Sequence, residues 1–235
     1  MTREPTMNIT TTEPIKVDIW SDIACPWCFI GKRKFEAGVA AAGLPVEVEY
    51  HSFELSPGTA VEVEGHHVEH LAQHLGVPLE QATAMIDRVS GIAESVGLHY
   101  DYDALQSTNT VLAHQLIHYA KAKGLQLEMK EHLMKAYFED GRHVGRIPEL
   151  ADLATELGLD RDDVIRSLTA NEYLDDVRAD IALAGELGIR GVPFFVLDGR
   201  FGVSGAQDPA TFANVLQQVA DERAAAVESE ITEAS

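Results

Sequence analysis

Two cysteines, Cys25 and Cys28, are the only thiols in this chain of 235 residues, and they stand in the run Cys25-Pro26-Trp27-Cys28. Cys-x-x-Cys at a helix start brings both sulfurs close enough to bond without moving the backbone. The first Cys then sits where free backbone N–H groups and the positive end of the helix dipole converge. Both effects favour thiolate, the nucleophilic form. Pro26 suits a first helical turn, where no N–H is needed. Cys28 lies one turn in and is more shielded. The chemistry this arrangement allows is dithiol–disulfide exchange: Cys25 attacks, Cys28 resolves the mixed disulfide, and Pro26 and Trp27 tune the couple. Two cysteines are too few for a disulfide scaffold, and a closed zinc site needs four ligands. No metal is expected.

Other residues could support that chemistry. Asp18, a few residues upstream on a predicted strand, is a candidate proton relay beneath the thiols; the alternative is a solvent-facing carboxylate. Asp22 reads as a loop residue whose charge would oppose a low thiol pKa. Gly191-Val192-Pro193 opens an apolar run late in the chain. X–Pro bonds are trans by default, whereas a cis bond would leave the Val192 backbone facing outward to pair with an extended substrate. The residues alone favour the ordinary trans turn. Lys32, Arg33 and Lys34 form the densest basic cluster and could attract a carboxylate-bearing thiol, against the plainer reading of a solvated helix face. His66, His70 and His74, spaced by four with His67 nearby, could share one helix face; an exposed polar face is the expectation there, with metal binding left open. Asn109, beside Thr110 and His114, can cap a helix. Gly202-Val203-Ser204-Gly205-Ala206 misses a nucleophile elbow at its last position.

The elements that must position these groups follow from the pattern. Ile15 to Trp20 alternates as a half-buried strand. A helix with Phe29, Ile30, Phe35 and Val39 on one face follows Cys-x-x-Cys and stops near Gly43-Leu44-Pro45. Val46 to Tyr50 alternates again, so the two strands should be parallel. From about Gly65 to Thr169 the chain is nearly all helix-former. Residues 171–188 read as another helix, Gly191–Leu197 as a buried strand, Asp198-Gly199 as a hairpin turn and Arg200–Ser204 as its partner. Asp208-Pro209 opens a last helix. The predicted organisation is a disordered N-terminus over 1–14, a first half-fold over 15–64, a helical insertion over 65–170, a second half-fold over 171–224 and a frayed acidic tail over 225–235.

Composition narrows the function classes. Lys and Arg number 18 against 38 Asp and Glu, a net charge of −20. Such a chain is repelled by phosphate backbones and anionic membranes, so neither nucleic acid nor membrane is an expected partner. No run is long and apolar enough to span a bilayer. The first sixteen residues lack the apolar stretch of a secretory signal, so a cytoplasmic location is expected.

Several segments together carry a resemblance: CPWCFIGKRKFE at 25–36, FELSP at 53–57, NTVLAHQL at 109–116, AYFEDG at 136–141, and GVPFFV with SGAQ at 191–207. The chain resembles the DsbA-like branch of the thioredoxin superfamily, most closely its intracellular FrnE-like subgroup, which is related to 2-hydroxychromene-2-carboxylate isomerases. The resemblance runs from about 16 to 220. It implies an α/β thioredoxin fold with a large inserted all-helical domain, a reactive Cys25, a resolving Cys28 and a cis Pro193. It also implies that Val192 and Asn109 contact substrate. Some relatives carry further cysteines, which are absent here. The isomerase relatives have Ser at the position of Cys25 and bind glutathione. The expected partners are therefore a disulfide-bearing protein or small thiol and a thiol reductant. No cofactor is required beyond glutathione or another low-molecular-weight thiol as co-substrate. The alternative is a thiol-dependent isomerase of an aromatic or polyketide-like small molecule; a third reading is a binding module indifferent to redox state.

Overall fold

The computed structural model describes residues 13–233. Residues 1–12 of the expected disordered segment and the last two residues of the expected tail lie outside the described residues. Strand β1 (Ile15–Ser21) runs parallel to β2 (Val46–Ser52), with Ile15 opposite Val46 and Ser21 opposite Ser52. On its other side β1 pairs antiparallel with β3 (Phe194–Leu197), and β3 pairs antiparallel with β4 (Phe201–Ser204). The sheet order is β2-β1-β3-β4. Helix α1 (Pro26–Ala42) joins the parallel strands, as a crossover must. Asp198 and Gly199 adopt φ of 56° and 64° in the β3–β4 turn. Positive φ at both central residues matches the twist of a two-residue hairpin, which the Asp-Gly pair supplies.

Alternation along β1 sends Ile15, Val17 and Ile19 to one face. There they meet Phe195 and Leu197 of β3, Phe35 of α1, and Phe212, Leu216 and Val219 of α9 (Pro209–Glu233). A Cβ on Gly38 of α1 would stand 2.6 Å from the Cβ of Phe212, so α1 and α9 approach closely at a position that needs glycine. The other face carries Trp20, Phe194 and Val196 against Ala184 of α8 (Leu174–Glu186) and Ile189. Where the sequence predicts fraying, α9 continues to Glu233. That stretch is rich in Ala and Glu, the residues that give up least on entering a helix.

Six helices lie between β2 and α8: α2 (His67–Leu75), α3 (Leu79–Glu94), α4 (Val111–Ala122), α5 (Gln126–Phe138), α6 (Ile147–Glu156) and α7 (Arg161–Thr169). Their core includes Leu116, Met129, Leu133, Tyr137 and Leu150, and it is continuous with Cys25, Cys28, Phe29 and Ile30 of the half-fold. The start of α1 is thus packed into the helical block. The thiols therefore belong to the apolar interior of the helical block and stand at its seam with the sheet.

Candidate active site at the junction of sheet and helical block

Cys25 is the N-cap of α1, with extended φ and ψ of −92° and 112°, and Pro26 follows at the first helical position. No acidic residue occupies the first turn, so nothing there offsets the positive helix end. Both cysteines are free thiols and both are buried. Their neighbours differ. Cys25 lines a cavity of about 380 Å³, together with Pro26 and Trp27, whereas Cys28 does not reach it. The Val192–Pro193 bond is cis, and the Cys25 Sγ lies 3.7 Å from the Val192 carbonyl oxygen as donor. Opposite Pro193, the Cβ that Gly31 lacks would stand 2.8 Å from the proline Cγ. Gly31 is therefore what lets α1 approach this loop. Tyr100, stacked on Phe138 at 4.6 Å, donates to the Pro26 carbonyl at 2.8 Å and holds the start of α1 from the helical side.

The electrostatics around the sulfurs come from three side chains whose role the sequence reading left out or underplayed. Asp22 is not an exposed loop residue: it is 2% exposed. It accepts from the Leu55 amide at 2.8 Å and pairs with His114 at 3.3 Å. Burial would raise its pKa, but the His114 hydrogen bond, the Leu55 amide and the Lys130 charge outweigh that and lower it. Burial lowers the His114 pKa against the opposing pull of Asp22. Lys130 of α5 is 1% exposed, with its Nζ 3.4 Å from the Ser21 carbonyl oxygen and 5.5 Å from the Tyr50 ring centroid. Burial pulls its pKa down to about 8, while the charges of Cys28, Asp22 and Cys25 pull the other way.

These groups divide the two thiols. The hydrogen bond with Cys28, burial and the charges of Cys28 and Asp22 raise Cys25 well above an ordinary thiol. Burial also opposes ionisation of Cys28, but the Cys25 hydrogen bond and Lys130 overcome it and lower that pKa. Burial and the Asp22 carboxylate oppose ionisation of Cys25, and the Lys130 ammonium favours that of Cys28; the helix end acts the other way, toward thiolate at Cys25.

Asp18, the expected proton relay, lies on the sheet face that carries α8. Its partners there are Lys16 at 3.1 Å and His51 at 2.9 Å. The carboxylate acting on Cys25 is Asp22. Asn109 accepts from the Val111 amide at 2.9 Å, at the start of α4; its neighbours Thr108 and Thr110 line the cavity. Lys32 and Arg33 pair with Glu131 of α5 and with Glu36. Lys34 reaches Asp208 at 3.2 Å. The basic cluster thus ties α1 to α5 and α9. His70 and His74 of the expected face turn toward the cavity, with the neighbouring His67 in place of His66. Among the described residues, the grouping of potential metal ligands is instead Asp18, Glu49 and His51. The Lys16 and Lys121 ammonium groups already neutralise its carboxylates.

The sequence carries a signal for a buried Lys130: Lys130, Leu133, Met134 and Tyr137 recur at i, i+3, i+4 and i+7. That is the spacing of a buried helix face, and all four side chains are buried.

Comparison with known proteins agrees with this fold. A "probable DsbA oxidoreductase" from Streptomyces coelicolor has a similar crystal structure, with 40% identity, a TM-score of 0.80, and coverage of 87% of this chain and 89% of that one. The cytosolic disulfide reductase DsbM from Pseudomonas aeruginosa shares the fold at 19% identity and a TM-score of 0.60, covering 86% of this chain and 97% of its own. The uncharacterized protein YwbO of Bacillus subtilis is 28% identical over 204 residues, 86% of this chain and 96% of YwbO. The profile of the DSBA-like thioredoxin domain matches residues 16–217, and the chain belongs to that family.

Proposed function

We propose that this protein is a thiol–disulfide oxidoreductase that exchanges the Cys25–Cys28 couple with protein or low-molecular-weight disulfides. The observation that carries this reading is the different placement of the two thiols. Cys25 opens on a cavity; Cys28 sits behind it with the Lys130 charge. A disulfide entering the cavity meets Cys25 first. Cys25 attacks as the thiolate, supported by the N-terminal amides of α1, its proton passing to solvent. One substrate sulfur leaves as a thiolate that takes up a proton, and the other stays bonded to Cys25. Cys28 then gives its proton to solvent beside Lys130 and attacks Cys25, releasing the second sulfur as a thiolate that is protonated in turn. The protein loses two electrons and the substrate gains two, so no other cofactor is called on. The Val192 backbone, alongside the Cys25 sulfur, is the substrate-pairing edge in this reading, and Pro193 shapes it. Asn109 acts by setting the start of α4 at the cavity rim. The setting we propose is the cytoplasm; no helix among the described residues is long and apolar enough to cross a membrane.

The test is an equilibrium titration of the pair in a dithiothreitol series, read by alkylation and mass. A reversible two-electron transition is expected, and its midpoint gives the direction of electron flow. Failure to form the disulfide at any poise would sink the exchange reading and favour a thiol-dependent isomerase, for which Cys28→Ser should be harmless.

A further inference from the structure

The cavity beside Cys25 has a chemical character that the exchange reaction does not require. Its volume, about 380 Å³, is in the range of small-molecule sites. Four of the large apolar side chains that the chain leaves exposed converge on it: Trp27, Leu55, Leu75 and Met85. Exposed apolar groups collected in one concave place mark a binding surface. Flat rings add to it. His67 is pinned by Ser107 at 2.8 Å and stacks on Tyr102 at 5.4 Å, and His70 and His74 stack on one another at 6.4 Å.

The charge is one-sided. Among the described residues that line the cavity there is no Lys or Arg, and the charged residue is Asp22. Burial holds the His67 pKa down to about 4, so that ring brings no positive charge near neutral pH. The basic side chains nearest in sequence are spent on Glu131, Glu36 and Asp208. An anionic thiol would enter with no Lys or Arg to meet it, in a chain of net charge −20.

We propose that this cavity selects small, uncharged disulfides bearing an aromatic group, and discriminates against anionic ones such as glutathione disulfide. This deepens the oxidoreductase reading and rests on it. The aromatic group lies between α2 and α3, placing its sulfur at Cys25. Cys25 bonds to that sulfur as the S–S bond breaks, the other half leaves as a thiol, and Cys28 displaces the bound half as a second thiol. Two protein thiols become a disulfide as one substrate disulfide becomes two thiols.

The test mixes the pre-reduced full chain with three disulfides built on the same cysteinyl sulfur: those of N-acetylcysteine benzylamide, N-acetylcysteine methylamide and glutathione. Single-turnover oxidation is read by alkylation and mass. The benzylamide should react about tenfold faster than the methylamide, the scale set by an apolar pocket, and glutathione disulfide should be slowest. Met85→Lys, at a position 41% exposed, should slow the benzylamide and speed glutathione disulfide, cutting their ratio about tenfold. Equal rates, or glutathione disulfide fastest, would overturn the cavity proposal and leave the exchange reading standing. An unchanged ratio in a Met85→Lys protein that unfolds at the parent temperature would do the same. If none of the three oxidises the pair, methylamide included, both readings fall.

Discussion

Two imidazole–carboxylate junctions join the sheet to the helical block, and both use α4. His114 turns to Asp22 beneath the thiols at 3.3 Å. One helical turn on, His118 meets Asp180 at 3.0 Å and Ser52 at 3.1 Å on the other side. The second junction continues from Asp180 to His51 at 2.8 Å and from His51 to Asp18 at 2.9 Å, with Trp20 stacked on His51 at 4.5 Å. The ingredients are alike, yet the outcomes differ. Burial would lower His51, but hydrogen bonds to two carboxylates outweigh it and raise its pKa. His114 is buried with one carboxylate and with Lys130 nearby, and its pKa falls. The number of opposing charges per imidazole decides the protonation state, not the residue type. The junction with two carboxylates works as a clamp. The one with a spare cation leaves that cation free to act on a sulfur.

The sharpest way to break this contrast is Asp180→Ala. It removes the acceptor of the Ser52 amide and the carboxylate shared by His51 and His118. Losing one partner of a buried pair costs about 3 kcal/mol, so chemical denaturation should show that loss. The redox midpoint of Cys25–Cys28 should stay near the parent value. A clear midpoint shift would show that the two junctions are coupled through α4.

Lys130→Met probes the other junction, with a smaller effect on stability and a larger one on chemistry. Without the ammonium, Cys28 should lose its charge stabilisation and its pKa should rise. Ultraviolet thiolate absorbance against pH measures this. An unmoved titration would remove Lys130 from the mechanism.

The smallest effect separates the two imidazoles by sign. The raised His51 binds protons more readily folded than unfolded. Its stabilisation is complete below the unfolded pKa of about 6.5 and is lost as pH rises through the higher folded value. The lowered His114 does the reverse: its neutral form is stabilised above about 6.5, and that contribution is lost as pH falls. The stability deficit of His51→Gln should therefore shrink from pH 6 to pH 9. That of His114→Gln should grow from pH 5 to pH 7. Parallel pH trends in the two variants would refute the assignment.

Much of this site was legible before folding. Local chemistry wrote it plainly: Pro26 in a first turn, Cys25 before it, Asp198-Gly199 in a hairpin. Period-two patterning in Ile15–Trp20 and Val46–Tyr50 placed the parallel pair. The remainder was not local. Lys130 reads as surface from its type, although its spacing to Leu133, Met134 and Tyr137 marked a buried face. Asp22 carried no hint of burial in its neighbours, because Leu55, His114 and Lys130 arrive from distant segments. The basic run 32–34 looked free until Glu131 and Asp208 came alongside.

By itself the sequence determined which atoms react, how far apart they are along the chain, and that a helix begins between them. These depend on covalent spacing, backbone restrictions and hydrophobic period, all encoded within a few residues. Tertiary structure decided which charges surround the sulfurs, which histidines face the cavity, and which carboxylate lines it beside Cys25. Charge and solvation act through space, and packing brings together groups more than a hundred residues apart, such as Ser21 and Lys130.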